Sequence, residues 1–89
     1  MSRLNNALQN DLKLLELLRD ETKLQAHLLK ADMKKGWDEL ERKWDDFKVH
    51  IERAQAAGGV AKNEAEAAAT LLSESLKSGY AKVRDALKS

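Results

Sequence analysis

Asp46 and His50 stand four residues apart, a spacing that puts both side chains on one face of a helix and could supply two metal ligands. A useful site needs three or four ligands, and no second histidine-containing pair accompanies them, so the pair reads as surface charge beside Ile51. His27 has no acidic residue three or four positions away and reads as a flank position. Ser73, Ser75 and Ser78 have no histidine in their own segment to activate a hydroxyl, and there is no HExxH and no glycine-rich phosphate loop. Gly58-Gly59 reads as a helix stop. Trp37, Trp44 and Tyr80 could make an aromatic ligand site or a wedge into a lipid interface, but their spacing fits a helix core better. These residues argue against an enzyme, a cofactor and a metal centre.

The positions of the aromatic residues say more. Trp37, Leu40, Trp44, Phe47, Ile51 and Ala54 follow one another at steps of 3, 4, 3, 4 and 3, with mostly polar residues between. This is the a/d seam of a coiled coil, so what this chain packs against is another helix. A second run, Ala65, Ala68 or Ala69, Leu72, Leu76, Tyr80, Val83 and Leu87, has similar steps with a 4, 4 stutter at Leu72-Leu76-Tyr80.

Composition agrees. Charged residues make up 35% of 89 residues, proline and cysteine are absent, and glycine occurs four times. That mixture suits long helices in one small domain spanning 1–89. Sixteen basic against fifteen acidic residues leave a net charge of +1, which lacks the concentrated basic field expected of a nucleic-acid binder. The absence of cysteine fits a cytoplasmic setting, no apolar run approaches the roughly 20 residues of a membrane span, and the N-terminus does not read as a signal peptide.

Two helices are predicted, at about 3–57 and about 62–88, joined by a turn at about 58–62. Ser2 or Asn5 could cap the first, Gly58-Gly59 ends it, and Asn63 with Glu66 has the spacing of an N-cap and its N3 partner. The short connection makes the pair antiparallel, with residue i facing about 117 − i, to within about one turn. The expected hairpin core is Trp37, Leu40, Trp44, Phe47, Ile51, Leu72, Leu76, Tyr80, Val83 and Leu87.

A continuous first helix would span ~80 Å and the second only ~40 Å. The N-terminal half, rich in leucine from Leu4 onward, would then lack a partner within the chain. Leu8, Leu15, Leu18, Leu24, Leu28 and Leu29 are the expected partner interface, and Leu14, Leu17, Leu24 and Leu28 form an apolar track beside the seam. Burying each leucine is worth roughly 1.5–3 kcal/mol, so the face must be covered. Self-association as a dimer covers it; the alternative is a helix that breaks near Gly36 and folds back as a monomeric three-helix bundle. The pairs Lys34–Asp38 and Lys35–Glu39 straddle the glycine and favour continuity there. Asp11, Thr22 and Gln25 interrupt the seam and either set register or lie at its edge.

The stretches Trp37-Asp38-Glu39-Leu40-Glu41-Arg42-Lys43-Trp44 and Leu71 to Leu87 resemble short uncharacterised bacterial coiled-coil proteins, some described as stress-induced. The resemblance covers roughly residues 25–88. It implies a small cytoplasmic protein with no catalytic residue or cofactor, and it transfers no functional residue.

The sequence therefore predicts an all-α helical hairpin with a long first helix, assembling as a homo-oligomeric bundle. The expected function is that of a non-enzymatic structural or adaptor module. A peripheral membrane binder, with Lys13, Arg19, Lys23 and Lys30 beside the leucines, is one alternative. A small subunit of a larger assembly, docking on a foreign helix, is the other.

Overall fold

A computed structural model describes the backbone of residues 3–88 and the side chains of 6–88. The Leu4 and Asn5 side chains, and the cap proposed at Ser2, lie outside the described residues. Helix α1 runs Arg3–Lys23, a 3-10 turn covers Ala26–Leu28, α2 runs Ala31–Ala56 and α3 runs Gly59–Lys88. The class is all-α, and no strand occurs among the described residues.

The heptad seam of α2 behaves as its spacing requires. Trp37, Leu40, Trp44, Phe47, Ile51 and Ala54 are its buried residues. They pack on α3 in an antiparallel pair whose register matches the expected one. Trp37 meets Tyr80 with ring centroids 5.9 Å apart, and Lys43 Nζ donates to Ser75 Oγ at 2.8 Å. The sums of these numbers, 117 and 118, keep the register constant along the pair.

The seam of α3 differs in one position from the expected one. Ala69, Ser73, Leu76, Tyr80 and Val83 are buried, with Glu66 before them. Ala65, an expected seam position, is buried as well, and from Ala69 to half-buried Leu87 the steps are 4, 3, 4, 3 and 4, with no stutter at Leu76 and Tyr80. The central position belongs to Ser73, 1% exposed, while Leu72 is only partly buried. A serine can sit there because its hydroxyl donates to Asp11 Oδ2 of α1 at 2.8 Å, which satisfies the buried polar group.

The first helix is not continuous from 3 to 57, nor does it break at Gly36. The chain reverses over residues 24–30, and Gly36 lies inside α2. The physical reason is the α1 stripe itself. Leu8, Leu15 and Thr22 cannot be covered by a straight helix of a single chain, but they are buried once α1 folds back, with Leu12 and Leu18 half-buried beside them. Tertiary burial outweighs the local helix preference of residues 24–30. Asp11 near Ser73, and Thr22 near Arg84 and Leu87, show that α1 runs parallel to α3. The result is an up-down-up bundle measuring 45 × 19 × 16 Å.

The turn between α2 and α3 is shorter than expected. It consists of Ala57 and Gly58, the Ala57 amide donates to Arg53 O at 2.8 Å, and α3 starts at Gly59. Asn63 is therefore inside α3 and caps nothing. Gly59 has a φ of 63°, which a side chain would strain.

Gly36 and Gly79 make opposite demands. A Cβ at Gly36 meets nothing within 4 Å, whereas one at Gly79 collides with the Leu40 side chain. Gly36→Ala is expected to raise stability by about 0.5–1 kcal/mol, the ordinary helix-interior gain. Gly79→Ala is expected to fall below the parent, because displacing buried Leu40 exceeds that gain. Chemical denaturation of both variants checks the pair.

Candidate interaction surface

The leucine stripe splits in two when α1 docks. Leu8 (2% exposed), Leu15 and Leu29 join Trp37, Trp44, Phe47, Leu76 and Tyr80 in one core, with Leu18 packed against it. Four of the six residues assigned to a partner interface are thus occupied inside the chain, a correction that follows from the reversal at 24–30. Leu24 and Leu28 remain exposed, at 79% and 66%.

They are joined by two leucines that the sequence reading placed on the neighbouring track. Leu14 and Leu17 are 47% and 69% exposed. Leu14 and Leu17 share one outward track of α1, Leu24 and Leu28 follow in the reversal, and Ala7 and Asn10 continue the track toward the N-terminus. The signal that could have found them is the two-track pattern itself. A helix with leucine at 14, 15, 17 and 18 cannot bury all four against one neighbouring pair of helices.

Charged groups fix the docked position of α1. Arg19 Nε and Nη2 donate to the two Glu41 carboxylate oxygens at 2.8 and 2.7 Å, a bidentate pair with both side chains half-buried. The bond to Glu41 holds the guanidinium further above its ordinary pKa, against the desolvation of burial. The same guanidinium lies 5.8 Å from the Trp44 ring centroid. Asp11 accepts from Ser73 and pairs with Lys77 Nζ at 3.0 Å. Thr22, 2% exposed, donates its hydroxyl to Leu18 O at 2.8 Å. Asp11 thus contributes to register within one chain, the Thr22 hydroxyl is satisfied within its own helix, and Gln25 lies exposed in the reversal.

Tyr80 is fully buried, and its hydroxyl has no hydrogen-bond partner among the described residues. Burial pushes the phenol well above its ordinary pKa; Glu41 adds to the rise and Arg19 opposes it. The folded state therefore prefers the neutral phenol. That contribution is whole below the unfolded value of about 10 and is lost as pH rises through it toward the folded value. Tyr80→Phe is expected to cost nothing at neutral pH and to show a smaller fall in melting temperature at about pH 11 than the parent. Melting curves at both pH values test this.

The remaining candidates are placed apart. His50 lies with Arg53, Glu64 and five alanines at the tip of the hairpin, and His27 is exposed in the 3-10 turn. Among the described residues no group of three or more His, Asp or Glu could hold a metal ion, and no helix is long and apolar enough to cross a membrane. Trp37, Trp44 and Tyr80 are core residues. No family model matches the chain, and no curated protein or solved structure matches it.

Proposed function

We propose that this chain is a non-enzymatic helical interaction module that self-associates through the outward face of α1. The observation that carries the reading is the exposure of Leu14 and Leu17 on α1, and of Leu24 and Leu28 just after it, in a bundle whose core is already filled. A second copy fits this face by charge as well as by apolarity. In an antiparallel pairing that sets Leu14 against the partner's Leu17, Ala7 comes opposite the partner's Leu24, and exposed Lys13 flanks the seam two residues from the level of the partner's Asp20. The dimer expected from the sequence is retained, with its interface moved from Leu15 and Leu18 to Leu14 and Leu17. A structural or adaptor role in a stress-associated cytoplasmic setting rests on the family resemblance.

Sedimentation equilibrium of the parent and of Leu14→Asp/Leu17→Asp tests the reading. The parent should rise above one-chain mass with concentration, and the variant should stay at one chain with its melting curve preserved. A parent that remains one chain throughout, or a variant that associates as the parent does, contradicts it.

A peripheral membrane role is the second reading, favoured by the exposed Lys13, Lys23 and Lys30 that border the same leucines. It requires co-sedimentation with anionic vesicles that weakens as salt is raised. Absence of binding at low salt excludes it.

A further inference from the structure

The reversal between α1 and α2 has none of the residues that normally hold a helical chain back on itself. Residues 24–30 read Leu-Gln-Ala-His-Leu-Leu-Lys, with no glycine and no proline. No non-glycine residue described has a positive φ. Neither Gln25, before the 3-10 turn, nor Lys30, before α2, makes a side-chain capping bond. The turn is held by the Gln25, Leu28 and Leu29 amides, which donate to carbonyls three residues earlier at 3.0–3.1 Å, while the Leu24 to Asp20 bond is stretched to 3.4 Å.

The backbone leaves the helical region mainly at Leu29 (φ −70°, ψ 144°) and Lys30 (φ −68°, ψ 161°). Both φ values already suit a helix. Turning the two ψ angles to about −42°, with smaller adjustments in the 3-10 turn, joins α1 to α2 as one helix. The joined helix supplies intrahelical partners for the α2 amides that now lack a side-chain cap.

We infer that this segment is a hinge, and that the chain exchanges α1 with a second copy to form a domain-swapped dimer. The register allows it. Arg19 pairs with Glu41, and the midpoint of those numbers is (19 + 41)/2 = 30, inside the hinge. Two straightened helices lying antiparallel about a two-fold axis at that point bring each Arg19 to the partner's Glu41. Because α1 is antiparallel to α2 in the closed chain, the same direction and the same contacts recur between chains, including Asp11 with the partner's Ser73 and Lys77. Closed and exchanged forms then differ in the hinge and in association entropy rather than in core packing. The exchanged helix is ~80 Å long and carries a hairpin pairing at each end. The exchange uses core contacts and not the outer leucines, so it stands or falls separately from the interface proposed above.

The chain has no cysteine, which makes the test direct. Asp11→Cys chains and Lys77→Cys chains are mixed, unfolded, refolded together at high concentration and treated with a short bis-maleimide. Asp11 and Lys77 pair at 3.0 Å and both are partly exposed, so the reagent can bridge them. Exchange yields a two-chain product joining one chain of each kind, whereas a side-by-side dimer of closed chains yields none. Lys30→Pro, introduced into both chains, should reduce that product at least tenfold. Proline fits the closed φ at Lys30, and extended Leu29 suits the residue before it, but proline obstructs the straightened helix. A separate Asp11→Cys/Lys77→Cys/Lys30→Pro chain should still cross-link internally, showing that the closed fold is kept. The inference is overturned if no interchain product forms at any concentration, or if the product survives Lys30→Pro undiminished. A dimer by mass without the product contradicts exchange while leaving the outer-leucine interface standing.

Discussion

Phe47→Ala is expected to lower stability by about 3–5 kcal/mol, the range for removing a fully buried phenylalanine. Phe47 is 0% exposed, lies 6.0 Å from the Trp44 ring, and belongs to the cluster that also holds Leu8, Leu15, Leu76 and Tyr80. The cluster draws residues from all three helices, so a cavity there loosens more than the hairpin. At roughly 0.05–0.15 kcal/mol per residue, a chain of this size has about 4–13 kcal/mol in all. The substitution therefore removes a large share of the total and should lower the melting temperature by more than about 12 °C. Val49→Ala, two positions along the same helix at a site 42% exposed, is the control and should shift stability far less. Similar losses from the two substitutions would contradict this core.

Leu15→Asp is expected to undock α1 at a cost of about 4 kcal/mol or more, because a carboxylate would replace a side chain 0% exposed within one chain. Leu17→Asp, two residues later and 69% exposed, should leave the fold of a single chain within about 0.5 kcal/mol of the parent. Circular dichroism melts at low protein concentration separate the two. In a continuous 3–57 helix, Leu15 would lie at an interface between chains, and its substitution would alter mass while sparing a dilute single chain. A Leu15→Asp protein that melts as the parent does would favour that arrangement over the bundle.

The parts of the structure legible in the sequence are those where one helix face meets one partner. All six α2 seam positions are buried, and the α2–α3 register follows from a short turn and matching heptads. The α3 phase was off at Leu72 because Ser73 looks like a surface residue until Asp11, 62 positions away, supplies its partner. The reversal at 24–30 has no local signal: its residues favour helix, and only the long-range burial of Leu8, Leu15 and Thr22 selects the turn. Gly36, the one apparent break, lies inside α2, since a lone glycine costs only about 1 kcal/mol in a helix. The interaction face shifted for the same reason. Once α1 folds back, its inward track belongs to the core and its outward track to the surface.

Small-angle X-ray scattering at the lowest workable concentration tests the bundle most directly. The closed chain, with a Cα radius of gyration of 14.1 Å and a longest extent of 45 Å, should give a compact one-chain particle close to those dimensions plus its hydration layer. A particle with a longest dimension near ~80 Å under those conditions would mean that α1 and α2 form one straight helix, and would contradict the bundle.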